Sequence, residues 1–352
     1  MPFITSLATA VPRHRLTQSE AKELARTLFG DGLAETPRLL NVFDNAKVGE
    51  RYVCVPPEWF RTPHTFEEKN GEYVRSTLQL GATAIQACLD RAGLEPDEID
   101  AFIFVSSSGL ATPTLDTHLI NGMGFSPSTR RIPIFGLGCV GGAAGLGHAC
   151  QLVSGRPGSR ALLLVVELNS ITFQENDFSP ANLVASSLFA DGAAAAVVSA
   201  ESDGRAGFEV LDATSHLWPD STDLMGWNFT STGFQVVFSR RIPALIRRHM
   251  ATSVQNLLKP HGLQQKDLSH FLLHPGGARI LDAYEQSLGL NGSSLDHSRH
   301  ILNYYGNMSS ATLLFILERA SRVSVPAGGD YILGAAFGPG FSSEMLLLRW
   351  RS

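Results

Sequence analysis

The sequence predicts an α/β fold made of two duplicated halves, and three observations carry that prediction. First, short apolar runs such as AFIFVSSSG (101–109) and RALLLVVEL (160–168) alternate with segments of helical spacing such as YVRSTLQLGATAIQACLDRAGL (73–94). Strands of so uniformly apolar a kind belong to a sheet covered on its faces. Second, the plan is repeated further along the chain. Third, Ser107 lies 32 residues before Cys139, and His274 lies 33 before Asn307, so residues at corresponding strand ends recur at nearly one spacing.

Taken in order, the helical segment 73–94 is followed by the polar turn EPDEID and the strand 101–109. IPIFGLG then reads as a strand running into a glycine turn, and CVGGAAGLGHACQLV as a helix despite its glycines. RALLLVVEL follows as a buried strand, and SLFADGAAAAVVSAE (187–201) as another with a loop at its start. In the second copy HFLLHPGGARILDAYEQSLGL (270–290) matches the strand ending in SSSG. ILNYYGNMSSATLLFILERA (301–320) matches the region of Cys139, and GDYILGAAFGPGFSSEMLLLRW (329–350) matches the late strand pair. The division falls near residue 205, giving units 1–205 and 206–352. The first unit carries roughly 20 extra residues, ITFQENDFSPANLVAS, of the kind that builds substrate pockets.

A composition of 44% hydrophobic and 17% charged residues is that of a well-cored globular chain. No apolar run reaches the roughly 18 residues that a membrane span needs. The stretch MPFITSLATAVPRHRL lacks the layout of a secretory signal, so a cytoplasmic location is expected. The net charge of −5, with no basic stripe longer than RRIPALIRRH (240–249), argues against nucleic acid as a partner. Cys54, Cys88, Cys139 and Cys150 form no C-x-x-C pair, so neither a zinc site nor a disulfide framework is expected. Cys88 and Cys150 fall on apolar helical faces and read as core thiols.

Two packed copies bring equivalent strand ends together, and Cys139, His274 and Asn307 all lie at such ends. Cys139 stands where a glycine turn meets a helix start, a place whose free N–H groups and dipole favour thiolate over thiol. A neighbouring imidazole would push further that way. Each residue also has a plain structural reading: a packed cysteine, a strand-ending histidine, a helix-capping asparagine. Their joint placement favours the chemical one.

At these residues the sequence resembles the thiolase-fold condensing enzymes, and among them the type III polyketide synthases of the chalcone synthase-like family. The motifs that carry the resemblance are FGLGCVGGAAGL, LFADGAAA, HPGGARIL, YGNMSSAT and FGPGF, in the family's order and over essentially the whole chain. It implies a layered αβαβα core and a homodimer. It also implies no cofactor or metal beyond coenzyme A thioesters as substrates. Cys139 would take the acyl group from an acyl-CoA, and malonyl-CoA would be decarboxylated and condensed with it. His274 and Asn307 would donate hydrogen bonds to the thioester oxygen as it becomes an enolate. Phe189 matches the aromatic gatekeeper, whose apolar face favours loss of neutral CO₂ over a retained carboxylate.

By the same resemblance Ser107, Thr112, Glu167, Asn169 and Thr172 line the cavity, Ser309 stands beside the cysteine, and Gly338 and Pro339 of FGPGF complete the substrate pocket. Trp227 replaces the plant enzymes' usual glycine and Val236 their aromatic residue. The stretches 107–116 and 225–243 resemble microbial enzymes that make alkylpyrones or alkylresorcinols from fatty acyl starters. Of three basic residues that meet the coenzyme A phosphates in plant enzymes, only Arg38 is kept here, with Asn41 and Asn45 at the other two places. Lys47 is expected to substitute, and Gly276 and Ala278 to approach the pantetheine by backbone. A ketoacyl-carrier-protein synthase of the initiating type shares Cys, His and Asn but carries His-Gln-Ala-Asn where this chain has HPGG. A degradative thiolase needs a second cysteine near the C-terminus, and the last one here is Cys150. A non-catalytic scaffold is at odds with the intact triad.

Overall fold

The computed structural model describes residues 1–29 and 37–352. The first half contains β1 (Phe3–Ala10), β2 (His14–Thr17), α1 (Gln18–Leu28), α2 (Asn41–Asn45), β3 (Glu50–Val53), α3 (Phe66–Ala92), β4 (Ala101–Val105), α4 (Asp116–Met123) and β5 (Arg130–Ile134). It ends with α5 (Gly141–Val153), β6 (Arg160–Leu168), α6 (Pro180–Leu188) and β7 (Asp191–Ser199). The second half runs through β8 (Gly207–Leu217), β9 (Met225–Thr230), β10 (Gly233–Phe238), α7 (Ile242–Leu258), β11 (Leu268–Leu273) and α8 (Ala278–Leu288). It closes with α9 (Asp296–Tyr305), α10 (Thr312–Arg322), β12 (Tyr331–Gly338) and β13 (Ser342–Arg351).

The strand order β11-β12-β13-β8-β1-β7-β6-β4-β5 is symmetric about the β1–β8 contact. Outward from that contact, β8, β13, β12 and β11 repeat β1, β7, β6 and β4. The join is short, only Phe3 opposite Glu209 and Ile4 opposite Phe208, so two sheets meet at a seam. One face of each sheet packs on a shared central layer: Ile103, Val105, Leu163 and Val165 from one, Ile332, Leu346 and Leu348 from the other, against Leu146 and Ala149 of α5 and Leu313, Leu314 and Leu317 of α10. The outer face of the first sheet, with Phe102, Phe104, Leu162 and Leu164, packs on Leu80, Ile85 and Leu89 of α3. Leu333, Ala335 and Leu347 on the outer face of the second sheet pack on Ile246 and Met250 of α7 and Leu281 of α8. The layers are therefore αβαβα, and the alternation of core membership along each strand is the period-2 geometry at work. Cys88, on α3, lies in the outer core and Cys150, on α5, in the central one.

Strand register sharpens the duplication. Val105 opposes Val165 and Leu273 opposes Ala335, each the last residue of its strand, so His274 corresponds to Ser106 rather than to Ser107. Ser106 to Cys139 and His274 to Asn307 are then both 33 residues. The same step places Phe337 opposite Glu167 in the symmetry. α5 reaches the central layer through its glycines: a Cβ on Gly142 would lie 2.2 Å from the carbonyl oxygen of Ser310, and one on Gly145 would lie 2.6 Å from Leu163. Backbone against backbone is the closest packing a helix can make, and only glycine permits it.

Differences from expectation lie at element ends. α3 begins seven residues before the expected helix because Thr65 and Glu68 form a reciprocal cap, the Glu68 amide donating to Thr65 Oγ1 (3.2 Å) and the Thr65 amide to Glu68 Oε2 (2.8 Å). The run SLFADGAAAAVVSAE begins in the last turn of α6, not in a loop. β1, which supplies the seam, was hidden because FITSLATA alternates only weakly.

Candidate active site

The cysteine turn is shaped by glycine. Gly136 (φ 89°) and Gly138 (φ 49°) adopt left-handed backbone, and Gly138–Val140 form a single tight turn before α5. A Cβ on Gly138 would lie 2.8 Å from the Pro339 ring, and one on Gly338 would lie 2.9 Å from the Leu137 carbonyl. Gly338 and Pro339 thus press on the turn that presents Cys139. Ser107 is also behind the turn, its Oγ accepting from the Gly138 amide at 3.2 Å. Cys139 is 8% exposed, and Ser309 Oγ donates to its Sγ at 3.6 Å.

The second half brings its groups to the same point. His274 follows β11, its amide donating to the Ala335 carbonyl (2.8 Å) and its own carbonyl accepting from Tyr284 Oη (3.1 Å). Among the described residues neither ring nitrogen of this buried histidine has a partner, so both are free for a ligand. Asn307 is held throughout: Oδ1 accepts from the Ser309 amide (2.9 Å), and Nδ2 donates to the Gly276 carbonyl at 3.4 Å. Its backbone pairs with the residues flanking Phe189, Asn307 N donating to the Leu188 carbonyl (2.8 Å) and Ala190 N to the Asn307 carbonyl (2.9 Å). Ser309 takes φ 48°, a conformation that costs a non-glycine residue energy and that the Asn307 bond offsets.

Burial sets the protonation states. It pushes the Cys139 thiol up to about 12, against the opposing Ser309 hydroxyl, and lowers His274 to about 4. Burial thus opposes charge on both groups, thiolate and imidazolium alike, and works against the N–H groups of the turn. Glu167 is fully buried rather than lining the cavity as expected. Its carboxylate accepts from the Ser107 amide (3.1 Å) and from the Ser310 hydroxyl, tying the two halves together, and burial raises it to about 7.

Asn169, Thr172, Phe189, Trp227 and Val236 do share a pocket. The Phe189 and Trp227 rings lie 6.1 Å apart. Its far wall was not anticipated: Ala21, Leu24, Ala25 and Leu28 form one stripe of α1, joined by Phe60 and Phe173. The i, i+3, i+4, i+7 spacing of that stripe was the signal that could have found it. Ala185 and Ser186 of the inserted segment complete the wall, as does Arg51, for which the sequence offered no signal. Thr112 stands exposed beside a cis Thr112–Pro113 bond and does not line this pocket, against expectation. Arg38, Asn41, Asn45 and Lys47 are all exposed, Lys47 in left-handed backbone at φ 59°. Ala278 opens α8 just after Gly276, whose carbonyl is the one bound by Asn307.

Residues 2–202 match the N-terminal domain of chalcone and stilbene synthases, and residues 209–351 match their C-terminal domain. The chain belongs to the type III polyketide synthases. It is 41% identical to a Bacillus subtilis (strain 168) protein named for chalcone synthase, over 99% of both chains. It is 39% identical to the 1,3,6,8-tetrahydroxynaphthalene synthase of Streptomyces peucetius subsp. caesius, over 99% of this chain and 93% of the other. The solved structure of the Streptomyces coelicolor A3(2) tetrahydroxynaphthalene synthase superposes with a TM-score of 0.95 at 34% identity, covering 99% of each chain. This type III polyketide synthase is accordingly a malonyl-CoA-dependent condensing enzyme of the thiolase fold. No described helix is long and apolar enough to cross a membrane.

Proposed function

We propose that this polyketide synthase primes Cys139 with a fatty acyl group and extends it to an alkylpyrone or an alkylresorcinol, working as a cytoplasmic homodimer. Cys139 attacks the starter thioester through its sulfur, giving its proton to His274, which passes it to the departing sulfur so that the C–S bond to coenzyme A breaks and coenzyme A leaves as the thiol. Malonyl-CoA then loses CO₂. The C–C bond electrons pass into an enolate whose oxygen takes hydrogen bonds from Asn307 Nδ2 and the His274 ring. Phe189 presents an apolar surface to the departing carboxylate. The enolate carbon attacks the Cys139 thioester, a C–C bond forms and the thiolate is returned for the next round. Gly276 and Ala278 would lie along the pantetheine, with Arg38 and Lys47 toward the phosphates.

The observation that carries the fatty acyl reading is the α1 stripe of Ala21, Leu24, Ala25 and Leu28, an apolar wall continuous with Phe189, Thr172 and Trp227. An alkyl chain that extended from Cys139 past Phe189 to this wall would be removed from water there, at about 0.8 kcal/mol per methylene. The relatives named for tetrahydroxynaphthalene and 3,5-dihydroxyphenylacetyl-CoA favour a second reading, a product without an alkyl tail. Labelled malonyl-CoA offered alone and with straight-chain acyl-CoA starters from acetyl to palmitoyl, without carrier protein, separates the two. Turnover rising with chain length, with CO₂ release and a tailed product, is expected. Equal product from malonyl-CoA alone establishes the tail-less reading instead, and no turnover with any starter sinks both.

A further inference from the structure

The last turn of α6 ends in extended backbone at Phe189 (φ −71°, ψ 145°), so no glycine cap closes it and its carbonyls need other donors. Arg51 of β3 supplies them from below. Its Nη1 donates to the carbonyls of Ser186 (2.8 Å) and Phe189 (2.9 Å), and its Nη2 to that of Ser187 (2.7 Å). Gln18 orients the guanidinium, its Oε1 accepting from Arg51 Nη2 while its Nε2 donates to the Ser187 carbonyl (3.0 Å) and the Phe43 carbonyl (2.8 Å). The one carbonyl left between these, that of Leu188, is taken by the Asn307 amide at 2.8 Å. Residues 186–190 are thus gripped on one side by Arg51 and on the other by Asn307.

Arg51 is 2% exposed, and a buried guanidinium is a costly way to end a helix that solvent or a glycine could finish. Burial lowers it to about 10, so it remains a cation, complementing the negative end of α6, with Asp191 as the nearby counter-charge. Asp191 fixes the other end of the same segment through the Cys54 amide (2.7 Å) and the Ser170 amide (2.8 Å).

We propose that Arg51 is a positioning residue which, with Gln18, sets Phe189 against Asn307 and so governs decarboxylation separately from acyl loading. This rests on the reading of Phe189 and Asn307 as the groups that face malonyl-CoA. Cys139 is held by a different set, Ser107, Pro339 and Ser309, which Arg51 does not touch. Removing the clamp should therefore leave loading of a short acyl group, which does not reach the pocket wall, intact and slow the step at Phe189.

The test uses Arg51→Lys, Arg51→Met and Gln18→Leu in the full chain. Two half-reactions are followed: release of coenzyme A thiol on loading of acetyl-CoA onto Cys139, whose acyl group is too short to use the pocket wall that Arg51 joins, and CO₂ release from malonyl-CoA. Arg51→Met should lower the kcat of decarboxylation about tenfold or more while loading stays within about twofold. Arg51→Lys should recover part of the loss, because a cation still reaches the carbonyls, and Gln18→Leu should show the same split at smaller size. Loading and decarboxylation that fall together, in proportion to the folded fraction, reduce Arg51 to a structural residue and overturn the proposal. So does a folded Gln18→Leu or Arg51→Lys protein without any split. If Arg51→Met does not fold, those two milder variants decide. An unmodified protein that neither loads nor decarboxylates fails the functional reading rather than the clamp.

Discussion

The two halves use one skeleton for opposite purposes. At equivalent positions the first half places Ser106, Cys139 and Glu167 where the second places His274, Asn307 and Phe337. The first contributes a cysteine thiol over a buried carboxyl; among the described residues the second contributes an unpartnered imidazole and an amide braced by Ser309. The supporting helices differ in the same sense. α5 is thin, with glycine facing Ser310 and Leu163, whereas α10 fills the space with Leu313, Leu314 and Phe315. Duplication therefore sets where groups can meet, and the side chain at each equivalent position decides what they do.

The largest effects should come from dividing the two contributions. Cys139→Ala is expected to abolish acyl loading and lower condensation by about 10⁴-fold or more, with CO₂ release from malonyl-CoA surviving on the second half's groups. Asn307→Ala is expected to do the reverse, keeping loading and lowering decarboxylation by roughly 10²- to 10³-fold. Separate assays of the two half-reactions check this, and equal loss of both in either variant would end the division of labour drawn here.

Next in size is the thin helix. Gly142→Ala puts a methyl 2.2 Å from the Ser310 carbonyl, where no flexible atom can yield, and should cost about 1–3 kcal/mol. Gly147→Ala meets nothing nearer than Ala213 Cβ at 3.3 Å, and the helix preference of alanine, about 1 kcal/mol, should offset that contact. Denaturant midpoints of the two proteins measure the difference. A tolerated Gly142→Ala would mean that the central layer can open, contrary to the asymmetry of α5 and α10.

The repeat was legible because Cys139 and Asn307 each follow a strand and a glycine turn and precede a helix, signals that sequence carries locally. The seam was not, because β1 is recognised only by what lies beside it. Ser309 and Phe189 could be placed by motif. Glu167 looked like a cavity residue because a carboxylate usually faces water; only the tertiary structure provides the Ser107 amide and Ser310 hydroxyl that let it stay dry. The upward push on the Cys139 thiol was invisible for the related reason that a turn signals N–H groups while burial leaves no mark on one sequence. Arg51 had no local signature, since the carbonyls it binds lie 135 to 138 residues away and Gln18 lies 33 away.

A further expected effect, resolved only by varying pH, is a pair of opposed slopes. Glu167 is held near 7 in the folded chain against an ordinary 4.5, so the stability it contributes is complete below 4.5 and is lost as pH rises through 7. His274 is held near 4 against 6.5, so its contribution is complete above 6.5 and is lost as pH falls through 4. Each arm covers roughly two pH units at about 1.4 kcal/mol per unit, or about 3 kcal/mol, and between pH 4.5 and 6.5 they nearly cancel. Glu167→Gln should remove one arm, leaving stability that climbs by about 3 kcal/mol relative to the parent from pH 4.5 to 7. His274→Gln should remove the other, giving a relative fall of similar size from pH 4 to 6.5. Urea midpoints taken across this range and expressed as differences from the parent isolate the two groups from every other titration. Curves that run parallel to the parent in both variants would mean that neither half holds its buried group in the neutral state, and the contrast between a carboxyl kept protonated in the first half and an imidazole kept unprotonated in the second would fall with them.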